Sequence, residues 1–301
     1  MLKTRTKYYV VGFTVVVIIL VLIFYYIGTL EKQQLPDEED LIAEVVQEEE
    51  RPFLNYVIGS SVEGREIEVY EFGKSSQEEK HIIFVGGIHG GYEWNTVLLA
   101  WEFVDYLQEN PDFIPDGIKI SIVPSVNPDG IHKVVGSTEG RFELANVPPS
   151  EMTVVGRLNA NGVDLNRNFD CNWKPESTWR GDVVDAGTEA FSEPEAKVIK
   201  DLVEIKDPVA VIFWHSAAGA VYGSECNDGV LTDTVGIMNA YASASGYSAV
   251  ESFDSYEITG DAEGWLASIG VPSVTVELTN HEDLDWQKNL AGVEAILNYF
   301  E

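Results

Sequence analysis

Basic residues are scarce in this chain. Its 301 residues include 19 Lys and Arg but 50 Asp and Glu, so the formal net charge is −31 at pH 7. Residues 51–301 alone hold 41 acidic against 15 basic side chains, a net charge of −26. So acidic a surface repels a phosphate backbone, which argues against nucleic acid as a partner. The acid excess fits an exported protein that must stay soluble, or a salty or cationic environment.

Cysteine is nearly absent as well, because the chain contains only Cys171 and Cys226. Outside the membrane the two thiols could form a disulfide, and two free buried thiols are the alternative. The sequence also contains no internal repeat and no sign of a domain boundary after residue 51. We therefore expect a single domain over residues 51–301.

The amino-terminal residues lack acidic side chains and are mostly apolar. Residues 1–7 form a basic flank with Lys3, Arg5 and Lys7, and residues 8–30 form an uncharged run of 23 residues, long enough to cross a bilayer as a helix. A cleaved signal peptide is the alternative, but the run is long for one and no small-x-small cleavage site follows. We predict an uncleaved transmembrane signal anchor, with the basic flank in the cytoplasm and the rest extracytoplasmic at the cell membrane. Residues 31–50, with nine acidic side chains and one Lys, read as a solvated stalk.

Apolar strands alternate with helices through the rest of the chain. The pattern predicts strands over residues 67–70, 81–85, 118–123, 209–214 and 271–278, and helices over residues 95–107, 193–205, 231–245 and 285–300. Nearly continuous apolar strands joined by helices are typical of an α/β fold. We expect a mostly parallel, mixed central sheet covered by helices on both faces.

Metal-ligating side chains lie where three of these strands end. His89 and Glu93 follow the strand 81–85, His215 follows the strand 209–214, and Glu277 lies near the carboxyl end of the strand 271–278. Open α/β sheets build their sites at this edge. Two histidines and a carboxylate leave one position on zinc open to water, and Glu277 could accept the proton of that water. A satisfied core histidine and a paired strand-end charge are the structural alternatives, but three such coincidences favour a metal site.

These residues lie in motifs whose shared order resembles the zinc metallocarboxypeptidases of the carboxypeptidase A type. The likeness runs from about Tyr56 to the C-terminus. The motifs are IGSSVEGREI from Ile58, GGIHGGYE from Gly86, VPSVNPDG from Val123, GVDLNRNFD from Gly162, FSEPEA from Phe191, WHSAAG from Trp214, YEITGDAEGW from Tyr256 and VTVEL from Val274. The resemblance implies a zinc carboxypeptidase-like fold with one Zn²⁺ per chain.

The resemblance also implies roles around the metal. His89, Glu93 and His215 match the zinc ligands, Asp164 matches a carboxylate that orients the first ligand histidine, and Glu277 matches the general base. One departure concerns the ligands themselves, because three residues separate His89 from Glu93 where the family usually has two. Two of the three are glycines, which can absorb an extra residue in a loop.

Further roles implied by the resemblance concern the substrate. Arg157 matches the arginine that polarises the scissile carbonyl, although the loop before it varies in length. Asn166 and Arg167 match the pair that grips the terminal carboxylate of the substrate, since a guanidinium binds a carboxylate through two parallel hydrogen bonds. Tyr256 matches a mobile tyrosine that closes over this group. If the two cysteines pair, they would join two loops that border the pocket.

The predicted side-chain pocket is acidic. In the family the residue seven positions after the mobile tyrosine lies at the pocket floor, and here it is Glu263, with Asp261 nearby. An acid there favours a cationic side chain such as lysine, arginine or diaminopimelate. The last would suggest the diaminopimelate-cleaving branch, whose substrates are peptidoglycan stem peptides. The structural alternative is that Glu263 faces solvent or pairs locally.

The sequence thus predicts a membrane-anchored zinc metallocarboxypeptidase acting on peptides or stem peptides. Two other functions stay open. One is a zinc amidohydrolase that deacylates N-acyl amino acids. The other is a binding module that holds a peptide end but has lost the metal through the altered His–Glu spacing.

Overall fold

The computed structural model describes Tyr26 and residues 53–74, 79–137 and 140–301. The chain divides into two compact units, Met1–Arg51 and Pro52–Glu301. The predicted basic flank (1–7), membrane span (8–30) and acidic stalk (31–50) lie outside the described residues, apart from the helical residue Tyr26. None of the helices in the described ranges combines the length and the apolar character that a bilayer crossing requires.

The second unit contains both strands and helices. Within its described residues the strands are β1 (Phe53–Ser60), β2 (Glu66–Phe72), β3 (Lys80–Val85), β4 (Ile118–Val123), β5 (Glu176–Trp179), β6 (Asp182–Asp185), β7 (Ala210–Ser216), β8 (Ala220–Gly223), β9 (Glu225–Cys226), β10 (Gly229–Val230), β11 (Ser248–Val250) and β12 (Ser273–Leu278). The α-helices are α1 (Trp94–Glu109), α2 (Pro128–Val135), α3 (Pro194–Lys206), α4 (Thr232–Ser245), α5 (Ala262–Ser268) and α6 (Trp286–Phe300).

One sheet of eight strands organises the unit, in the order β1–β2–β4–β3–β7–β12–β8–β11. The four central strands β4, β3, β7 and β12 run parallel to one another. Antiparallel pairing joins β1 to β2, β2 to β4, and β12 to β8. The predicted mixed sheet is confirmed, and its parallel pairing is concentrated in the centre.

Apolar side chains cover both faces of this sheet. Successive residues of a strand point to opposite faces, and β3 shows the consequence. Ile82 and Phe84 pack into a cluster with residues of α1, α4 and α6. Ile83 and Val85 pack into a second cluster with residues of α3 and α5. Helices therefore cover both faces, and the carboxyl ends of the central strands open onto one edge.

Local side-chain chemistry sets several helix ends. The side chain of Asn127 accepts a hydrogen bond from the backbone N–H of Gly130 at the start of α2, and Asp261 does the same for Gly264 at the start of α5. Such caps satisfy N–H groups that have no partner within the helix. Gly246 ends α4 in the left-handed conformation that glycine adopts most readily.

Candidate metal centre

The loop after β3 places a histidine and a glutamate at the carboxyl edge of the sheet. A Cβ atom at Gly87 would lie 2.5 Å from Cγ2 of Val97, so the loop lies directly against α1. His89 then precedes a 3-10 turn, Gly90–Glu93, which leads into the helix. The side chains of His89 and Glu93 are both buried. This loop therefore directs two metal-ligating groups into the protein.

Two neighbouring strands supply the other groups. His215 is buried near the end of β7, and Glu277 is partly exposed near the end of β12. The two residues are direct partners in the parallel register of these strands. Because β7 also pairs with β3, the ends of all three strands meet beside the loop that carries His89 and Glu93.

The three predicted ligands converge on one point. One donor atom from each of His89, Glu93 and His215 lies within 4.8 Å of the other two. Oε2 of Glu93 lies 3.2 Å from Nδ1 of His215, and the two imidazole rings have centroids 5.0 Å apart. Donor atoms of one ion lie within a few ångströms of one another, so this spacing fits a single metal.

The chemistry of the donor set fits zinc. Two imidazoles and one carboxylate are the usual protein ligands of a catalytic zinc with an open fourth position. Nδ1 of His89 and Oε2 of Glu277 are buried without a hydrogen-bond partner, which is costly for polar atoms that have no other function. Both unpartnered atoms belong to the cluster around the candidate site. The residues present therefore suit a bound zinc ion.

Neighbouring charged groups shift the pKa values of the two histidines in opposite directions. Burial, with the nearby cation Arg157, holds the pKa of His89 well below its ordinary value. His215 is equally buried, yet the carboxylates of Glu93 and Glu263 raise its pKa well above the ordinary value. Burial and the nearby Glu93 carboxylate raise the pKa of Glu277 to about 7. A carboxyl group with such a pKa can gain and lose a proton near neutral pH.

Arg157 and Asp164 form a buried ion pair behind the centre. Oδ2 of Asp164 accepts hydrogen bonds from Nε and Nη2 of Arg157, at 3.1 and 2.8 Å. The other carboxylate oxygen, Oδ1, lies 3.5 Å from Nδ1 of His89. Nη1 of Arg157 lies 3.8 Å from Oε1 of Glu93. Asp164 thus lies next to His89, as expected of an orienting carboxylate, and it also fixes the guanidinium of Arg157.

Asn166 and Arg167 lie on the 3-10 turn Leu165–Arg167, next to the start of α5. Oδ1 of Asn166 accepts a hydrogen bond from the backbone N–H of Ala262 at 2.8 Å. Nε and Nη2 of Arg167 donate to the carbonyl oxygen of Thr178 at 3.3 and 3.2 Å. No carboxylate of the described residues lies within ion-pair distance of Arg167. Its charge is therefore available to an anionic group.

A cavity of about 570 Å³ joins these groups, and the three predicted pocket residues Glu263, Asp261 and Tyr256 also line it. Glu263 is buried, with Oε1 accepting a hydrogen bond from Thr275 at 2.8 Å and lying 3.2 Å from Nε2 of His215. Asp261 caps α5, so its carboxylate is partly engaged by the backbone. The Tyr256 ring packs edge-on against Phe253, with centroids 4.9 Å apart.

Comparison with known proteins identifies the family to which the chain belongs. A family model described as zinc carboxypeptidase matches residues 39–291. The chain belongs to the zinc carboxypeptidase family. Among curated members, carboxypeptidase B of Helicoverpa zea is 30% identical over 288 residues, which cover 82% of this chain and 64% of that protein. The gamma-D-glutamyl-L-diamino acid endopeptidase 1 of Lysinibacillus sphaericus is 28% identical over 75% of this chain and 61% of that protein.

The chain thus spans a little under two thirds of the length of these two zinc carboxypeptidase relatives. A solved structure, the murein-tripeptide amidase of Escherichia coli O157, matches with a TM-score of 0.56 and 24% identity. The match covers 81% of this chain and 91% of that one. Fold and family are therefore shown, whereas the catalytic roles of single residues stay predictions.

The extra residue between His89 and Glu93 is absorbed by the 3-10 turn. Gly90 adopts a φ of +45°, which a residue with a side chain rarely does. At Gly91 a Cβ atom would lie 2.4 Å from Cγ2 of Val134, so only glycine fits. Glu93 emerges with Oε2 accepting a hydrogen bond from the backbone N–H of Ser216 at 3.2 Å. Its carboxylate therefore faces the centre despite the altered spacing.

Much of the cavity wall was not predicted from the sequence, and two of its residues contact or adjoin the predicted ones. Trp179 and Arg180, at the end of β5 and in the turn after it, both line the cavity. The guanidinium carbon of Arg157 lies 4.2 Å from the centroid of the Trp179 ring. The sequence offers only a Trp-Arg-Gly turn between two short β-prone stretches. Neither stretch contains the apolar run from which a strand beside the cavity could be predicted.

The two cysteines form a disulfide, Cys171–Cys226. Cys171 follows the turn that carries Arg167, and Cys226 belongs to β9, beside the cavity-lining residue Glu225. The bond therefore joins two segments on the border of the cavity.

Proposed function

We propose that this chain is a zinc-dependent carboxypeptidase that hydrolyses the last amide bond of a peptide and releases a cationic residue. The observation that carries the proposal is the convergence of His89, Glu93 and His215 within 4.8 Å of one another at a cavity. The same cavity contains a carboxyl group able to exchange protons and an arginine available to an anion.

Two of the chain's own residues, Glu277 and Arg157, support hydrolysis beside the three candidate metal ligands. A zinc ion held by the three ligands would act as a Lewis acid and make a water molecule acidic enough to lose a proton near pH 7. Glu277, with its pKa raised to about 7, is suited to accept that proton and to pass it to the leaving amine. Arg157, held by Asp164, presents Nη1 toward the centre and is suited to stabilise negative charge on the carbonyl oxygen.

Arg167 and Asn166 support an exopeptidase rather than an endopeptidase. The buried guanidinium of Arg167 donates hydrogen bonds to the carbonyl oxygens of Asn166 and Thr178 but has no carboxylate partner, so its charge is left for a bound anion. A chain terminus supplies such an anion, and an internal peptide bond does not. Tyr256 lines the same cavity, and its match to the mobile tyrosine of the family supports a role in covering the bound terminus.

The buried carboxylate of Glu263 supports a cationic leaving residue. Its pKa lies below the ordinary value despite burial, because His215 and the hydroxyl of Thr275 stabilise the charged form. A negative charge at the wall of the cavity favours lysine, arginine or diaminopimelate. The relative from Lysinibacillus sphaericus, whose name specifies an L-diamino acid, supports the same class of leaving residue.

Replacing Glu263 by Gln tests this preference. We expect kcat/KM for a peptide ending in Lys to fall by about tenfold or more, since a buried charge pair is lost. A peptide ending in Leu should lose much less. Glu294→Gln, at an exposed position of α6, is the matched control. Equal losses for Lys and Leu peptides would contradict the assignment.

A substrate panel tests the function as a whole. Peptides ending in Lys, Arg, diaminopimelate or Leu are compared with N-acyl amino acids, each with and without a zinc chelator. We expect chelator-sensitive release of the cationic residues. Faster cleavage of the N-acyl amino acids would favour a deacylase, and turnover that a chelator leaves unchanged would remove the zinc mechanism.

The amino-terminal sequence supports a position at the cell membrane, with residues 51–301 on the extracytoplasmic side. The support is the uncharged run of 23 residues after a basic flank. The full chain should stay in the membrane pellet after an alkaline carbonate wash, and a chain lacking residues 1–30 should not. External protease should reach residues 51–301 in intact cells whose outer layers are permeable to it. Recovery of the full chain in the soluble fraction would contradict the anchor.

A further inference from the structure

A short chain of hydrogen bonds lies behind the carboxylate of Glu93. Oε2 of Glu93 accepts a hydrogen bond from the backbone N–H of Ser216 at 3.2 Å. The hydroxyl of the same serine lies 3.0 Å from Oδ1 of Asn95 and 2.9 Å from Nδ1 of His281. Neither Asn95 nor His281 belongs to the candidate ligands or lines the cavity. The chain of hydrogen bonds therefore has no assigned part in the reaction.

Asn95 fixes the direction of these hydrogen bonds. Its amide nitrogen Nδ2 donates to the carbonyl oxygens of Asn280 and Asp283, at 2.8 and 3.0 Å. The reversed amide would set its oxygen against two carbonyl oxygens, so the orientation is determined by the network. Oδ1 of Asn95 therefore faces Ser216 and can only accept. The single proton of the Ser216 hydroxyl is donated to it.

The hydroxyl of Ser216 consequently has no proton left for His281. Its oxygen can only accept from Nδ1 of His281, so this nitrogen carries the proton, and Nε2 of the neutral ring is bare. The hydrogen bonds then run in one direction, from His281 through Ser216 to Asn95 and the two carbonyl oxygens. Donors and acceptors aligned in this way polarise one another and strengthen the whole chain of bonds.

The imidazole of His281 also packs on the metal loop, residues 86–93. Its ring centroid lies 4.6 Å from that of Tyr92, the residue before Glu93. Ser216, on the other side of the ring, follows the ligand His215 and ends β7. His281 thus contacts both backbone segments that carry neighbouring ligands, although it is not a ligand itself.

The carboxylate of Glu93 depends on few contacts for its orientation. Gly90 and Gly91 give the loop before it wide backbone freedom. Nη1 of Arg157 lies 3.8 Å from Oε1, which is too long for a hydrogen bond. Apart from the ligand His215, the N–H of Ser216 is the only donor within hydrogen-bond distance of this carboxylate in the part of the chain that the structure describes.

We propose that His281 is a positioning residue for the metal ligand Glu93. Its Nδ1–H holds the hydroxyl of Ser216, its ring supports Tyr92, and together these contacts keep the N–H of Ser216 aimed at Oε2 of Glu93. The inference rests on the proposed function and deepens it, because it gives the loop after β12 a part in holding the metal. Partners that orient zinc ligands typically contribute tens of fold to metal affinity.

Three substitutions at His281 test this role through the zinc affinity of the full chain, measured by competition with a chromophoric chelator. His281→Asn keeps an N–H donor near the place of Nδ1, whereas His281→Gln carries its donor farther out, near the place of Nε2. Both lose the ring, so they differ mainly in the hydrogen bond to Ser216. We expect Kd for zinc to rise about tenfold or more in His281→Ala and His281→Gln, and clearly less in His281→Asn.

His81→Ala is the matched control. His81 forms the same kind of pair, with Nε2 2.8 Å from Oγ of Ser121, but it lies at the start of β3, away from the metal loop. This variant should keep the zinc affinity of the wild type even if it unfolds at lower urea. Cobalt(II) bound in place of zinc adds a second readout, because its visible spectrum reports ligand geometry. The spectrum should change in His281→Gln and stay unchanged in His81→Ala.

The outcomes separate this inference from the proposed function. Wild-type zinc affinity and an unchanged cobalt spectrum in His281→Gln would overturn the role of His281 and leave the metal centre intact. Equal losses of affinity in His281→Asn and His281→Gln would also overturn it, because the donor at Nδ1 would then be irrelevant. A wild-type chain that binds no zinc would overturn both proposals.

Discussion

Gly90 is a residue of the metal loop at which an added methyl group would both strain the backbone and overlap a neighbouring backbone atom. Its φ is +45°, and a Cβ atom there would lie 2.7 Å from the carbonyl oxygen of Gly156. Strained φ and backbone overlap together cost about 1–3 kcal/mol. We expect Gly90→Ala to lower the free energy of unfolding by this amount and to reduce the zinc content of the purified chain.

Gly64→Ala separates the two costs. Gly64 also has a positive φ, +81°, but no atom lies within 4 Å of the added Cβ. This variant should lose only the backbone contribution and should keep its zinc. Urea unfolding and metal analysis of the two variants measure the difference, and equal losses of stability and zinc would contradict the close packing at Gly90.

His81 makes a separate prediction at the residue scale. Its ring is half-buried on β3, with Nε2 2.8 Å from Oγ of Ser121, and burial lowers its pKa to about 4. The unfolded chain binds the proton at the ordinary histidine pKa of about 6.5. The contribution of neutral His81 to stability is therefore present above about pH 6.5 and is lost as the pH falls toward 4.

His81→Gln removes this contribution to the pH dependence. The variant should lose less stability between pH 7 and pH 5 than the wild type does, whatever its stability at pH 7. Urea titrations of both chains at the two pH values measure the two losses. Identical losses would show that His81 is protonated as readily in the folded chain as in the unfolded one.

The sequence predicted that the candidate metal ligands converge, because each follows or ends an apolar strand. His89 and His215 come directly after buried runs, and parallel strands end at a common edge. Arg180 was not predicted, because the β5–β6 hairpin is short and half polar and its position depends on contacts with Arg157 and Arg167. Those contacts join residues that lie apart in the sequence, so no local sequence pattern predicts them.

At the scale of elements, the disulfide makes the clearest prediction. It closes a loop between cysteines 55 positions apart, and the chain-entropy model assigns about 4 kcal/mol to a loop of this length. We expect the double variant Cys171→Ser, Cys226→Ser to lose stability of this order in urea unfolding. The reduced wild type should unfold like the double variant. Equal stability of the oxidised wild type and the double variant would contradict a stabilising bond.

Some elements were predictable from sequence and others were not. Apolar runs predicted β4, β7 and β12, and helical periodicity predicted α1, α3, α4 and α6. The stretch 163–169 lies outside the predicted strands and helices, and the Asp164 side chain accepts a hydrogen bond from the N–H of Asn166 and starts a 3-10 turn there. Only Val163 makes a single β-bridge. The short strands β8 and β11 lack long apolar runs and depend on the edge of the main sheet, whereas β9 and β10 pair with each other in a separate two-stranded sheet.

At the scale of the whole molecule, the fold explains why distant residues share one site. Four parallel strands bring their carboxyl ends to one edge, and the loops beyond them supply the ligands and the cavity wall. The net charge of −26 on residues 51–301 surrounds a cavity in which three arginines, Arg157, Arg167 and Arg180, are gathered. The cavity thus combines these arginines with the buried carboxylate of Glu263 and the candidate metal ligands, which suits the proposed substrate.

The measurement that tests this account most directly is zinc content together with hydrolysis in the wild-type chain and in Glu277→Gln. The account predicts about one zinc per chain in both proteins, because Glu277 is not a ligand, with kcat reduced about a hundredfold or more in the variant. Zinc well below one per chain in the wild type would show that His89, Glu93 and His215 do not hold a metal. Unchanged kcat in the variant would show that Glu277 is not the base.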